Sequence, residues 1–191
     1  MSEDRVAAFT DGVMAIIITI LVLNLAPPDS DSIRALFSIE HKLIVYCFSF
    51  IVIAVYWNNH HHLFQLVQKV DGNVLWANNF FLFSLTLFPF SASWVSSHLF
   101  SLIPQLTYGC VILLADIAYW ILLSTLKRAE KMPAAMNELF SSYHKSLISI
   151  AMNILALILG LFLNPVLVMG VNSVMILLWI IPEKRIESFL N

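Results

Sequence analysis

The chain has 191 residues, of which 60% are hydrophobic and only 12% charged, with a formal net charge of -2. A soluble domain of this size carries about twice that share of charge, so the composition excludes an ordinary soluble globule and points to a polytopic membrane protein. The near-neutral balance offers no electrostatic footprint for nucleic acid, and two cysteines are too few for a disulfide scaffold or a cysteine-based zinc site.

Six apolar segments are long enough to approach a span of roughly 20 residues. The first, about Arg5–Leu25, carries Asp11 and ends at Pro27-Pro28. Its acid, and the proline beside the would-be cleavage site, argue for a retained helix rather than a secretory signal. The segment Asp29–Glu40 is expected to form a short surface helix with Ile33, Leu36 and Phe37 at the interface. The second span is about Lys42–Leu66, apolar up to Trp57 and polar beyond it. The third is about Val74–Ser96 and the fourth about Leu99–Leu126, with Pro89 and Pro104 expected to interrupt them. The stretch Lys127–Ser142 reads as a solvated connection. The fifth span, about His144–Leu163, meets the sixth, about Pro165–Ile181, in a hairpin at Asn164-Pro165, because Asn favours turns and Pro suits a helix start. No soluble domain or Gly-rich linker interrupts residues 1–191, so a single all-α, six-helix transmembrane domain is expected. Cys47 and Cys110 fall inside apolar segments and are expected as small buried hydrophobes.

Positive charge sets the orientation. With six spans, Arg5, Lys69, Lys127, Arg128, Lys131, Lys145, Lys184 and Arg185 share one side, and only Arg34 and Lys42 lie on the other. Both termini are therefore expected in the cytoplasm, in a cell membrane.

At 100° per residue, Ile16, Ile20 and Leu23 of the first helix fall within about 60° of one another. Gly12 lies on that side and Thr19 flanks it. A packing face in a helix bundle explains this stripe. Several copies around an axis would instead turn it into an apolar neck that blocks ions by dewetting, with Thr19 as the nearby side-chain oxygen. Asp11 and Arg5 are six positions apart and do not share a helical face. A network across the first three helices, joining Arg5, Asp11, Trp57, His60 and Asn78 or Asn79, would keep Asp11 satisfied. Consecutive helical positions diverge by 100°, so His60, His61 and His62 cannot all face one ion, and no metal site is expected. Asp116 must face protein or water; Asn153 and Asn172 or Ser173 are its candidate partners.

These residues carry a resemblance. Arg5-x-x-x-Phe9-Thr10-Asp11 resembles the Arg-x-x-x-Phe-Ser-Asp signature of the transmembrane protein 175 potassium channels, with Thr10 in place of Ser. Trp57-x-x-His60 with Phe64, and Asn78 or Asn79 followed by Leu87-Phe88-Pro89-Phe90, are similar to that family's second and third helices. The resemblance implies a homotetramer in the bilayer that conducts monovalent cations, chiefly potassium, without a Thr-Val-Gly-Tyr-Gly filter and without a cofactor. Passage of sodium, rubidium, caesium and protons stays open. It further implies that the first helix lines the pore, that Ile16, Ile20 and Leu23 form the constriction, and that Thr19 is the pore hydroxyl. A proton-coupled secondary transporter is the alternative, though no repeat between the halves supports it. No nucleophile–base pair, HExxH, phosphate loop or His-box set suggests an enzyme.

Overall fold

A computed structural model describes residues 3–65, 70–129 and 142–180. The described residues form helices and connecting turns, without a strand. Helix α1, Glu3–Leu23, begins with Glu3 and Asp4 in its first turn, where acids complement the helix dipole. It ends ahead of Pro27-Pro28, which cannot continue a helix. The short α2, Ile33–Ser38, is capped by Ser32, whose hydroxyl accepts from the Ala35 amide at 3.2 Å. It leaves Ile33 and Phe37 exposed. Helix α3 follows over Glu40–Gln65.

The third span is one apolar run, Gly72–Ser97, made of two helices. Helix α4, Gly72–Thr86, starts at an Asp71 cap that accepts from the Val74 amide at 2.9 Å. Helix α5 is Phe88–Ser97, with Pro89 at its start. Pro89 has no amide hydrogen for the Leu85 carbonyl and crowds it, so the helix breaks at Leu87. Helix α6, Leu102–Ala129, differs from expectation at both ends. Pro104 falls in its first turn, where the missing donor has no helical acceptor to serve; it interrupts nothing. At the other end the helix continues through Lys127 and Arg128, which belong to its last turn rather than to a loop. The remainder of that connection, and Lys69, Lys131, Lys184 and Arg185, lie outside the described residues.

Helix α7, Ser142–Phe162, and helix α8, Leu167–Ile180, form the expected hairpin. Asn164 turns the chain by accepting from the Val166 amide at 3.0 Å. Counting α4 and α5 together, five described helices are long and apolar enough to cross a membrane. The sixth apolar stretch, Leu167–Leu177 within α8, is shorter than a full span.

Helix α1 packs on α3, α4 and α5, while α7 and α8 pack on α6 and on each other. Between these layers lies an aromatic centre: Tyr56 meets Phe81 at 5.6 Å, and Phe81 meets Tyr119 at 5.4 Å. In lipid the tails are as apolar as leucine, so close packing and interhelical hydrogen bonds hold such a bundle. The α6–α7–α8 contact shows the first of these. A Cβ on Gly109 would sit 2.6 Å from Val168 Cγ1, and one on Gly160 would collide with Val168 Cγ2. Two glycines thus admit one valine between three helices. Cys47 and Cys110 correct the sequence reading: both are exposed on the protomer. An apolar thiol facing lipid loses little relative to a core position, so hydropathy alone does not separate the two environments.

Candidate functional site: the first helix and its polar latch

Helix α1 has two sides. Val6, Thr10, Met14, Ile17 and Leu21 are buried and fall within about 80° of one another at 100° per residue. This side faces the bundle. The opposite side is bare: Ile16 is 60% exposed, Ile20 42% and Leu23 74%. Gly12 and Thr19 are exposed with them, and Phe9 also points outward. The Thr19 hydroxyl bonds back to the Ala15 carbonyl at 2.8 Å, which leaves its lone pairs on the exposed side.

Two hydrogen-bonded branches fasten the N-terminal half of α1 to the bundle. In the buried branch, Asn78 of α4 stands between two other helices. Its Nδ2 donates to Thr10 Oγ1 at 3.0 Å, and its Oδ1 pairs with His60 Nε2 of α3 at 2.9 Å. Thr10, His60 and Asn78 are each at most 1% exposed, so each depends on the others for its polar partners. Phe64 stacks on the His60 ring at 4.3 Å and holds its orientation. In the outer branch, Trp57 Nε1 donates to Asp11 Oδ1 at 2.8 Å. His61 stacks on that indole at 5.3 Å. The three consecutive histidines are splayed, with His60 buried, His61 half-buried and His62 exposed.

The geometry differs from the single network read from the sequence. Asp11 and Thr10 are anchored separately, through Trp57 and Asn78. Asn79 is exposed and its side chain makes no hydrogen bond among the described residues; one position along a helix turns a side chain by 100° and removes it from the seam. Arg5 is likewise exposed, with no ion pair among the described residues. A third anchor was not read from the sequence. At the far end of α1, Asn24 Nδ2 donates to the Pro89 carbonyl at 3.2 Å, tying the helix to the break between α4 and α5. No pattern of residue types announces a bond from an Asn to a backbone oxygen.

A second polar cluster lies away from α1. Asp116 accepts from the Tyr56 hydroxyl at 2.7 Å and from Asn153 Nδ2 at 3.3 Å. Asn172 joins through Asn153 at 3.5 Å, while Ser173 bonds its own helix at the Met169 carbonyl. Tyr56 was missed by the sequence reading, although it lies four residues before His60, on the same inward face of α3.

These features define a class: an all-helical, multi-pass membrane protein whose first helix is latched to the bundle on one side and bare on the other. Residues 5–89 match the sequence profile of the family described as endosomal/lysosomal potassium channel TMEM175. A potassium channel of Chryseobacterium sp. (strain P1-3) is 42% identical over 191 residues, covering 100% of this chain and 99% of that protein. The crystal structure of a lysosomal potassium-selective channel TMEM175 homologue from Chamaesiphon minutus superposes with a TM-score of 0.82 at 25% identity, covering 93% of this chain and 95% of that one. The endosomal/lysosomal proton channel TMEM175 of Mus musculus is 29% identical over 99 residues, 48% of this chain and 19% of that protein. The chain belongs to the TMEM175 family.

Proposed function

We propose that the chain is a potassium-favouring channel for monovalent cations, assembled as a homotetramer around α1. Ile16, Ile20 and Leu23 form its apolar neck and Thr19 offers the nearby hydroxyl. Both termini lie on the cytoplasmic side of the cell membrane, the side richer in Lys and Arg.

One observation carries this reading. Asp11 is exposed on the protomer although it lies well inside a helix apolar enough to span the bilayer. A carboxylate at that depth does not face lipid; it faces water or another protein surface. The exposed side of α1 runs from Asp11 through Thr19 to Ile20, and a water-filled axis or neighbouring copies of the chain would cover it and hydrate the part of Asp11 that Trp57 leaves open. Four such helices around an axis meet both requirements. The rise from Ile16 to Leu23 is roughly 10 Å at 1.5 Å per residue, long enough for stacked rings of branched side chains that dewet when narrow. The channel names of the relatives from Chryseobacterium and Chamaesiphon minutus support the same cargo.

The test is the reversal potential of purified protein in liposomes, with potassium on one side and sodium on the other, beside Ile16→Asn and Ile20→Asn. The expected result is a wild-type potential displaced toward that of potassium, changed in size by either substitution. Absence of current in all three proteins, together with uptake that follows a proton gradient, would refute the channel and favour a proton-coupled transporter.

A further inference from the structure

Asp116 and its partners border a chamber of about 40 Å³ between α3, α6, α7 and α8. Its polar wall is made by Tyr56, Asn59, Asp116, Ser146, Ser149 and Asn172. Ser146 is 2% exposed, and its hydroxyl has no hydrogen-bond partner among the described residues. The volume suits one or two water molecules, which need at least about 10–15 Å³ each together with polar contacts. A buried hydroxyl without a partner is costly, and a water in this chamber would satisfy it.

The carboxyl group asks for the same guest. Among the described residues, each hydrogen bond to Asp116 is donated by a neutral group, Tyr56 or Asn153. The titratable groups facing it are Tyr56 from α3 and Tyr119 of its own helix; α7 presents Ser146, Ser149 and Asn153, and α8 presents Asn172 and Trp179. No Lys, Arg or His lines the chamber among the described residues. Lys145, the nearest charge on α7, lies over the Trp179 ring at 6.0 Å. Among the described residues an ionised Asp116 thus has no cation lining its chamber, and a protonated Asp116 has no acceptor for its proton. Water serves both states, because it donates to a carboxylate and accepts from a carboxylic acid.

We infer that this chamber is a hydrated proton-binding site, remote from α1, in which water bridges Ser146 to Asp116 and exchanges a single proton on the carboxyl group. The proton moves between a carboxyl oxygen and water, with no other bond made or broken. This site does not depend on the channel reading, because the experiment observes the carboxyl group itself.

The experiment is infrared difference spectroscopy of the full chain in liposomes, between neutral and acidic buffer, in H2O and D2O. A protonated-carboxyl band is expected to grow on acidification, to shift in D2O and to be missing from Asp116→Asn. Should Asp116→Asn not assemble, Asp116→Glu serves, since it moves the same band. Ser146→Val fills the chamber with a methyl-bearing side chain and is expected to slow deuterium exchange of the band several-fold. The inference is overturned if no titrating band depends on residue 116, or if an assembled Ser146→Val exchanges as fast as the wild type.

Discussion

Asn78→Ala cuts both bonds of the buried branch at once, and the neighbouring Asn79 supplies a control of identical chemistry. Asn78 is 1% exposed and bridges Thr10 at 3.0 Å and His60 at 2.9 Å. Interhelical hydrogen bonds in membranes average about 0.6 kcal/mol and reach about 1.7 kcal/mol. Two lost bonds therefore cost about 1–3 kcal/mol, and the upper part of the range is expected because Thr10 and His60 are left buried without partners. Asn79→Ala removes an exposed side chain with no hydrogen bond and is expected to stay within about 0.5 kcal/mol of the wild type. The assay is unfolding of the purified chain by titration with SDS, followed by tryptophan fluorescence. Thr10→Val completes a double-mutant cycle with Asn78→Ala, and a coupling energy of at least about 0.5 kcal/mol is expected for residues in contact. Equal losses at positions 78 and 79, or strict additivity of the Thr10 and Asn78 variants, would refute the latch.

Three further outcomes are expected. Gly160→Ala drives a methyl into Val168 and should cost about 1–3 kcal/mol, as overpacking does; adding Val168→Ala should recover part of the loss in thermal unfolding. Tyr56→Phe deletes the 2.7 Å donor to Asp116 and should cost about 1.5–3 kcal/mol when the acid is ionised, whereas Tyr56→Phe placed in an Asp116→Leu background should cost clearly less; equal penalties in both backgrounds would deny the bond. Trp57→Phe removes the 2.8 Å donor to Asp11 at an exposed site, so a loss of about 0.5–1.5 kcal/mol is expected, and an Asp11→Ala background, which deletes the acceptor, should abolish most of that difference.

Much of this protein is legible in its sequence because a bilayer is an undemanding reader. Spans must be apolar and about 20 residues long, so the five long spans and the Asn164-Pro165 hairpin follow from composition and turn chemistry. Helical periodicity groups Ile16, Ile20 and Leu23 on one side of α1 and Thr10 and Ile17 on another. Both sides are apolar, so the pattern suggests a packing face for the stripe that the structure leaves exposed. Local rules further limit how a charged or polar residue inside a span can be satisfied, which is why Asp11 and Asp116 stood out before any fold was known.

Tertiary structure alone decided the partners. Asn78 and Asn79 have the same chemistry, and only the rotation of α4 against α1 and α3 puts the first in the seam and the second outside it. The same holds for Arg5, which charge made a candidate and geometry left exposed, and for Tyr56, whose hydroxyl finds Asp116 sixty positions away. Pro89 and Pro104 looked alike in sequence, yet one breaks a span and the other sits in a first turn, because the consequence of a missing amide hydrogen depends on whether an acceptor waits four residues back. Cys47 and Cys110 met the same limit: lipid and protein core are equally apolar, so which of them a side chain faces is settled by how the helices pack.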